Sequence, residues 1–155
     1  MEQKNNNDEI NVFDIAKYFL NKDSSINKTK LQKLLYYSQG YFLAKYNTVL
    51  FNETIEAWIY GPVIPVIYAE ILFQETMKPN TNLNFDKSAT NKNLTKEQKE
   101  ILEQIYDEFY GLNSKELSKK THEEDPWKTV YDPNKSWSEC VITPKILYNY
   151  FSKRK

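Results

Sequence analysis

From Leu31 to Tyr46 the chain carries apolar or aromatic side chains around the whole circumference of a helix. Leu31, Leu35, Ser38 and Phe42 fall on one stripe at helical spacing. Leu34 and Ala44 extend the apolar set, and Tyr36, Tyr37, Tyr41 and Tyr46 spread around its sides. A helix with one apolar stripe can lie on a surface. A helix that is apolar on several sides needs neighbours on several sides. The segment therefore predicts a central helix, capped by Asn27 or Thr29, around which the other elements pack.

Those other elements are shorter. Asn11 is placed to cap a first helix over 12–20, with Asp14 near its positive end and Val12, Phe13, Ala16, Phe19 and Leu20 on one face. Over Ile55–Tyr60 the pattern alternates with the period of a strand. Val49, Leu50 and Phe51 are its expected hairpin partner across Asn52 and Glu53, and Gly61-Pro62 is its expected end. Pro65 suits the first turn of a helix running to about residue 74, with Val66, Ile67, Ile71 and Leu72 inward. The polar stretch 78–93 reads as a long surface loop. Thr95 and Gln98 form a capping box ahead of Ile101, Leu102, Ile105, Tyr106 and Phe109, and Gly111 is a natural stop. A short helix follows from Asn113 or Ser114 to about Lys120. Asp125, preceding Pro126, is expected outside the helical region, with a helical turn continuing to Tyr131. Thr143 and Pro144 open a last helix ending near Phe151. The expected fold is mainly α: a compact single domain of about six helices with a short β-hairpin after the second main helix. Residues 1–10 form a flexible leader, 11–152 the domain and 153–155 a basic tail.

Composition removes several function classes. The chain has 21 basic and 21 acidic residues. That balance weighs against a dedicated nucleic-acid binder, which needs a basic surface to neutralise phosphates. Arg154 is the only arginine, so no bidentate arginine clamp can be built within the domain. Cys140 stands alone, which excludes an internal disulfide and a cysteine-pair zinc site and suits a reducing cytoplasm. The three glycines, Gly40, Gly61 and Gly111, lie too far apart for a phosphate-binding loop. No apolar run approaches the ~20 residues that a membrane span needs, and the polar start is not a signal peptide. No metal or cofactor is called for.

A few residues stand out. His122 is the only histidine, so any Ser–His or Cys–His pair would have to use it. Its simpler role is to end a helix or bond a neighbouring backbone group. The run Glu123-Glu124-Asp125 reads as a solvated loop, with a contact surface for a basic partner as the alternative. Lys33 lies in an otherwise apolar helix, where it either snorkels to water or, if buried, needs a carboxylate such as Glu56. Aromatic residues make up 15% of the chain. Core packing accounts for most such residues, and Tyr and Trp are also favoured at binding hot spots.

Three blocks in order then resemble a known family. They are Leu31-Gln32-Lys33-Leu34-Leu35-Tyr36-Tyr37-Ser38-Gln39-Gly40, then Ile55-Glu56-Ala57-Trp58-Ile59-Tyr60-Gly61-Pro62-Val63, then Leu117-Ser118-Lys119-Lys120-Thr121-His122-Glu123-Glu124-Asp125-Pro126-Trp127. Ile142-Thr143-Pro144 closes the series. Together they are similar to the signature of the Panacea antitoxin domain, a family that includes SocA-like antitoxins and GepA-type phage-associated proteins. The resemblance covers about residues 11–152.

It implies a non-enzymatic antitoxin that neutralises a cognate toxin protein by direct binding. It also implies two alternatives: an adaptor delivering the toxin to a ClpXP-type protease, and a phage-associated nucleic-acid-binding regulator. Family members often carry an additional domain, for which a chain of this length has no expected room. The residues it marks as partner-binding or motif-forming are Lys33, Tyr36, Trp58, Tyr60, Gly61, Pro62, His122, Pro126 and Trp127. Gly61 and Pro62 have a simpler role open to them, that of setting the strand-to-helix turn.

Overall fold

The structure is a computed structural model that describes residues 9–153. Most of the expected leader and the last two residues of the tail lie outside those residues. Among the described residues seven α-helices surround one another and a small three-stranded sheet. The mainly helical expectation holds, and the seventh helix is the short turn anticipated beside Pro126.

The helix starts follow local chemistry. α1 (Val12–Lys22) begins with a capping box in which the Asn11 side chain accepts the Phe13 and Asp14 N–H groups and Asp14 accepts the Asn11 N–H. α2 (Lys28–Tyr46) is capped by Asn27, whose side chain accepts the Lys30 N–H at 2.8 Å. Every residue of α2 from Leu31 to Gly40 is buried, and α1, α4 (Lys96–Phe109), α5 (Ser114–His122) and α7 (Pro144–Phe151) all pack on it. At Gly40 the Phe151 ring of α7 occupies the space a Cβ would need. α4 and α5 each open on a capping box, Thr95 with Gln98 and Asn113 with Glu116.

The sheet differs from the expected hairpin. β1 (Ile55–Trp58) pairs antiparallel with β2 (Gly61–Val63) on one side and β3 (Val141–Ile142) on the other. The chain thus reverses at Ile59-Tyr60, and Gly61-Pro62 starts the second strand rather than ending the first. Val49–Phe51 is not a strand. Its backbone is held by one side chain of the central helix: Gln39 accepts the Leu50 N–H at 2.7 Å and donates to the Phe51 carbonyl at 2.7 Å. A buried glutamine does there what a partner strand would otherwise do.

α3 (Pro65–Met77) buries only Ile67 and Ile71. Val66 and Leu72, expected inward, are exposed together with Tyr68, Phe73 and Met77. The helix rests on the core along a single i, i+4 line, so most of its apolar circumference faces out. The polar loop that follows is anchored at both ends of its second half. Phe85 is buried against Phe13, and Asp14 accepts the Thr90 hydroxyl at 2.7 Å and the Asn91 N–H at 2.9 Å. α6 (Asp125–Lys128) begins one residue earlier than expected, with Glu124 rather than Asp125 holding the extended conformation.

Candidate functional site

Most of the motif residues converge on the β1–β2 turn. Two ring N–H groups brace it from α5 and α6. The Trp127 indole donates to the Trp58 carbonyl at 2.6 Å, and His122 Nε2 lies 2.9 Å from the Ile59 carbonyl. A carbonyl only accepts, so His122 carries a proton on Nε2 here. The two rings meet edge to face at 4.2 Å, and Trp127 stacks on Tyr131 at 4.7 Å. His122 thus fills both of the simpler roles open to it: it is the last residue of α5 and it bonds a backbone carbonyl.

Gly61 closes the turn with φ +118°, a conformation that side-chain-bearing residues rarely adopt. Space also forbids a side chain. A Cβ would lie 2.8 Å from Lys33 Cε and 2.9 Å from Thr121 Oγ1. Glycine thus lets α2, α5 and β2 meet at one point.

The outer edge of β2 is covered by side chains of α2. Gln32 accepts the Ile64 N–H at 2.8 Å and donates to the Ile64 carbonyl at 3.2 Å. Lys33 donates to the Pro62 carbonyl at 3.3 Å. Lys33 is 2% exposed, and burial lowers its pKa from 10.5 to about 8. Glu56, the carboxylate expected to pair with it, instead accepts the Trp58 indole N–H at 2.8 Å. Strand alternation separates them: Glu56 and Trp58 share one face of β1, so their side chains reach each other.

The remaining two motif residues belong to the core. Tyr36 is fully buried, and its hydroxyl donates to Glu124 at 3.0 Å, as does that of Tyr37. Glu124 is itself buried and has Lys120 at 3.8 Å, so the acidic run is not uniformly solvated. Its place in the sequence, between two exposed acidic residues, hides this. Burial first, and the Glu124 charge second, hold the Tyr36 hydroxyl well above the ordinary phenol range. Pro126 is buried at the start of α6. Tyr36 and Pro126 therefore support the site from behind.

The braced turn presents its tip to solvent, with Ile59 57% and Tyr60 74% exposed. Beside it lies a groove of about 200 Å³ between the turn and α3. Its walls are Trp58, Tyr60, Tyr68, Leu72 and Trp137, and Gln32 and Lys33 lie at its base. Trp58 stacks on Trp137 at 4.3 Å and meets Tyr68 edge to face at 4.9 Å. At one end Lys28 and Glu75 form an ion pair at 3.1 Å. Sequence reasoning does not single out Tyr68, Leu72 or Trp137 as site residues. Trp137 lies 79 residues from Trp58 in the chain, and no local pattern connects them. Among the described residues no group of three or more potential ligands could hold a metal ion.

Over 46 residues, 30% of its length, the chain is 48% identical to Antitoxin SocA of Caulobacter vibrioides (strain NA1000 / CB15N). That stretch covers 24% of the Caulobacter protein, so the chain spans well under two thirds of this relative. No solved structure matches the chain significantly. The family model described as "Antitoxin SocA-like, Panacea domain" matches residues 31–128, which run from the start of the buried face of α2 to the end of α6 and include every motif residue bracing the turn. With most of its length matched, the chain belongs to the SocA-like, Panacea-domain antitoxin family.

Proposed function

We propose that this chain is an antitoxin that neutralises a cognate toxin by direct protein–protein binding in the cytoplasm, using the β1–β2 tip and the adjoining face of α3. The observation that carries this reading is the set of exposed apolar side chains on the braced turn, the groove wall and α3. Tyr60, Ile59, Trp137, Leu72, Phe73 and Met77 are all more than half exposed. Exposed apolar patches of this kind mark interaction sites. Aromatic anchors held rigid before binding lose little conformational freedom on binding. The action proposed is surface complementarity without turnover. No helix among the described residues is long and apolar enough to cross a membrane.

The test is co-expression with the product of the neighbouring reading frame. Growth rescue and co-purification of the two proteins are expected, and Tyr60→Lys, at an exposed position, should abolish both while leaving the circular dichroism spectrum unchanged. Toxin level separates the modes of action. A masked toxin persists in the complex, whereas a toxin delivered to a ClpXP-type protease disappears and returns when the protease is deleted. Rescue by Tyr60→Lys equal to that by the wild type would refute the assignment of this surface.

A further inference from the structure

The base of the groove contains a charge that the fold leaves largely uncompensated. Lys33 is 2% exposed, and its single hydrogen bond among the described residues is to the neutral Pro62 carbonyl at 3.3 Å. Among the described residues it forms no ion pair. An ammonium has three protons to donate, and a buried one without a carboxylate is a net cost to the fold. The carboxylate expected from the sequence to pair with it, Glu56, is engaged with Trp58. The acidic group at the mouth of the groove, Glu75, is already paired with Lys28. Above Lys33 the walls are aromatic and aliphatic. The site thus offers an apolar slot the size of one or two side chains with an uncompensated positive charge at its base.

Resting on the partner-binding reading above, we propose that the groove receives an internal segment of the partner protein in which an Asp or Glu side chain is adjacent to a large apolar residue. The carboxylate seats on the Lys33 ammonium and the apolar side chain packs between Trp58, Tyr68 and Leu72. The carboxylate supplies the charge that Lys33 lacks. A carboxylate on this ammonium, between aromatic and aliphatic walls, gains a charge-assisted hydrogen bond. Recognition is then selective for acidic over amide side chains, because a neutral amide leaves the buried cation uncompensated.

The experiment is selection of a displayed random heptapeptide library, with blocked C-termini, on the full chain and on its Lys33→Met variant. Wild type is expected to enrich peptides carrying Asp or Glu next to Leu, Ile, Phe or Trp. In the best such peptide, Glu→Gln should weaken binding by about ten- to a hundredfold. The Lys33→Met variant should lose the preference for the acid while retaining the apolar residue. Leu72→Lys, at an exposed wall position, should abolish binding of every selected peptide. No enrichment on wild type, enrichment of peptides without a carboxylate, or the same acidic preference on Lys33→Met would each overturn the proposal. Selection needs no toxin, so failed growth rescue alongside a Lys33-dependent acidic motif would refute the antitoxin reading alone. The reverse pattern would refute only the occupant of the groove.

Discussion

Replacing Lys33 by methionine should stabilise the protein at neutral pH. Burial lowers the lysine from 10.5 to about 8. That difference of about 2.5 pH units, at ~1.36 kcal/mol each, corresponds to roughly 3 kcal/mol of destabilisation while the group is charged. Methionine fills a similar volume without the charge, and leaves the Pro62 carbonyl without its donor at a cost of about 1 kcal/mol. The net expectation is about 2 kcal/mol of added stability at pH 7. The sign with pH follows from proton counting. Below about 8 Lys33 is charged in both the folded and unfolded states, and the full cost applies. Between about 8 and 10.5 the unfolded chain holds a proton that the folded one releases, so wild-type stability rises with pH. Above 10.5 both states are neutral and the cost is gone. Urea unfolding of both proteins at neutral and alkaline pH measures the gap directly, and other titrating groups cancel in the difference. A gap that does not close above pH 8, or a Lys33→Met variant markedly less stable than wild type at pH 7, would refute the reasoning.

Two further outcomes concern the supports behind the groove. Gly61→Ala should cost about 2–4 kcal/mol, from the positive φ and from forced contact with Lys33 and Thr121. Urea unfolding would show a lowered midpoint with an unchanged slope, and a loss under 1 kcal/mol would mean that the turn relaxes freely. Glu124→Leu removes the acceptor shared by the Tyr36 and Tyr37 hydroxyls and should cost roughly 2–4 kcal/mol. The triple change that also replaces both tyrosines by phenylalanine should recover most of it, and a triple variant no more stable than Glu124→Leu would contradict a shared polar cluster.

Features set by residues three or four apart are legible in the linear sequence. The capping boxes at Asn11 and Thr95, the proline starts at Pro65 and Pro144, and the central position of α2 all depend on near neighbours or on the apolar content of one segment. Such signals survive in the linear order because the interacting groups are fixed by helical geometry alone. The blocks around Lys33, Gly61 and His122 are equally readable as marks of a family. Their division of labour is not. His122 and Trp127 face backbone carbonyls more than sixty residues away, and Glu124 meets tyrosines on the other side of the chain's length. Only packing decides whether such a group is buried, because burial is a property of what else arrives at the same place. The same holds for Val49–Phe51, whose strand-like pattern is overridden by one glutamine of α2, and for α3, whose apolar residues outnumber those the core can cover. Local chemistry determined where the elements begin and which helix lies at the centre. Tertiary structure decided which charges are buried, which strands pair and which apolar face is left exposed, since each of these depends on contacts between segments that the sequence keeps far apart.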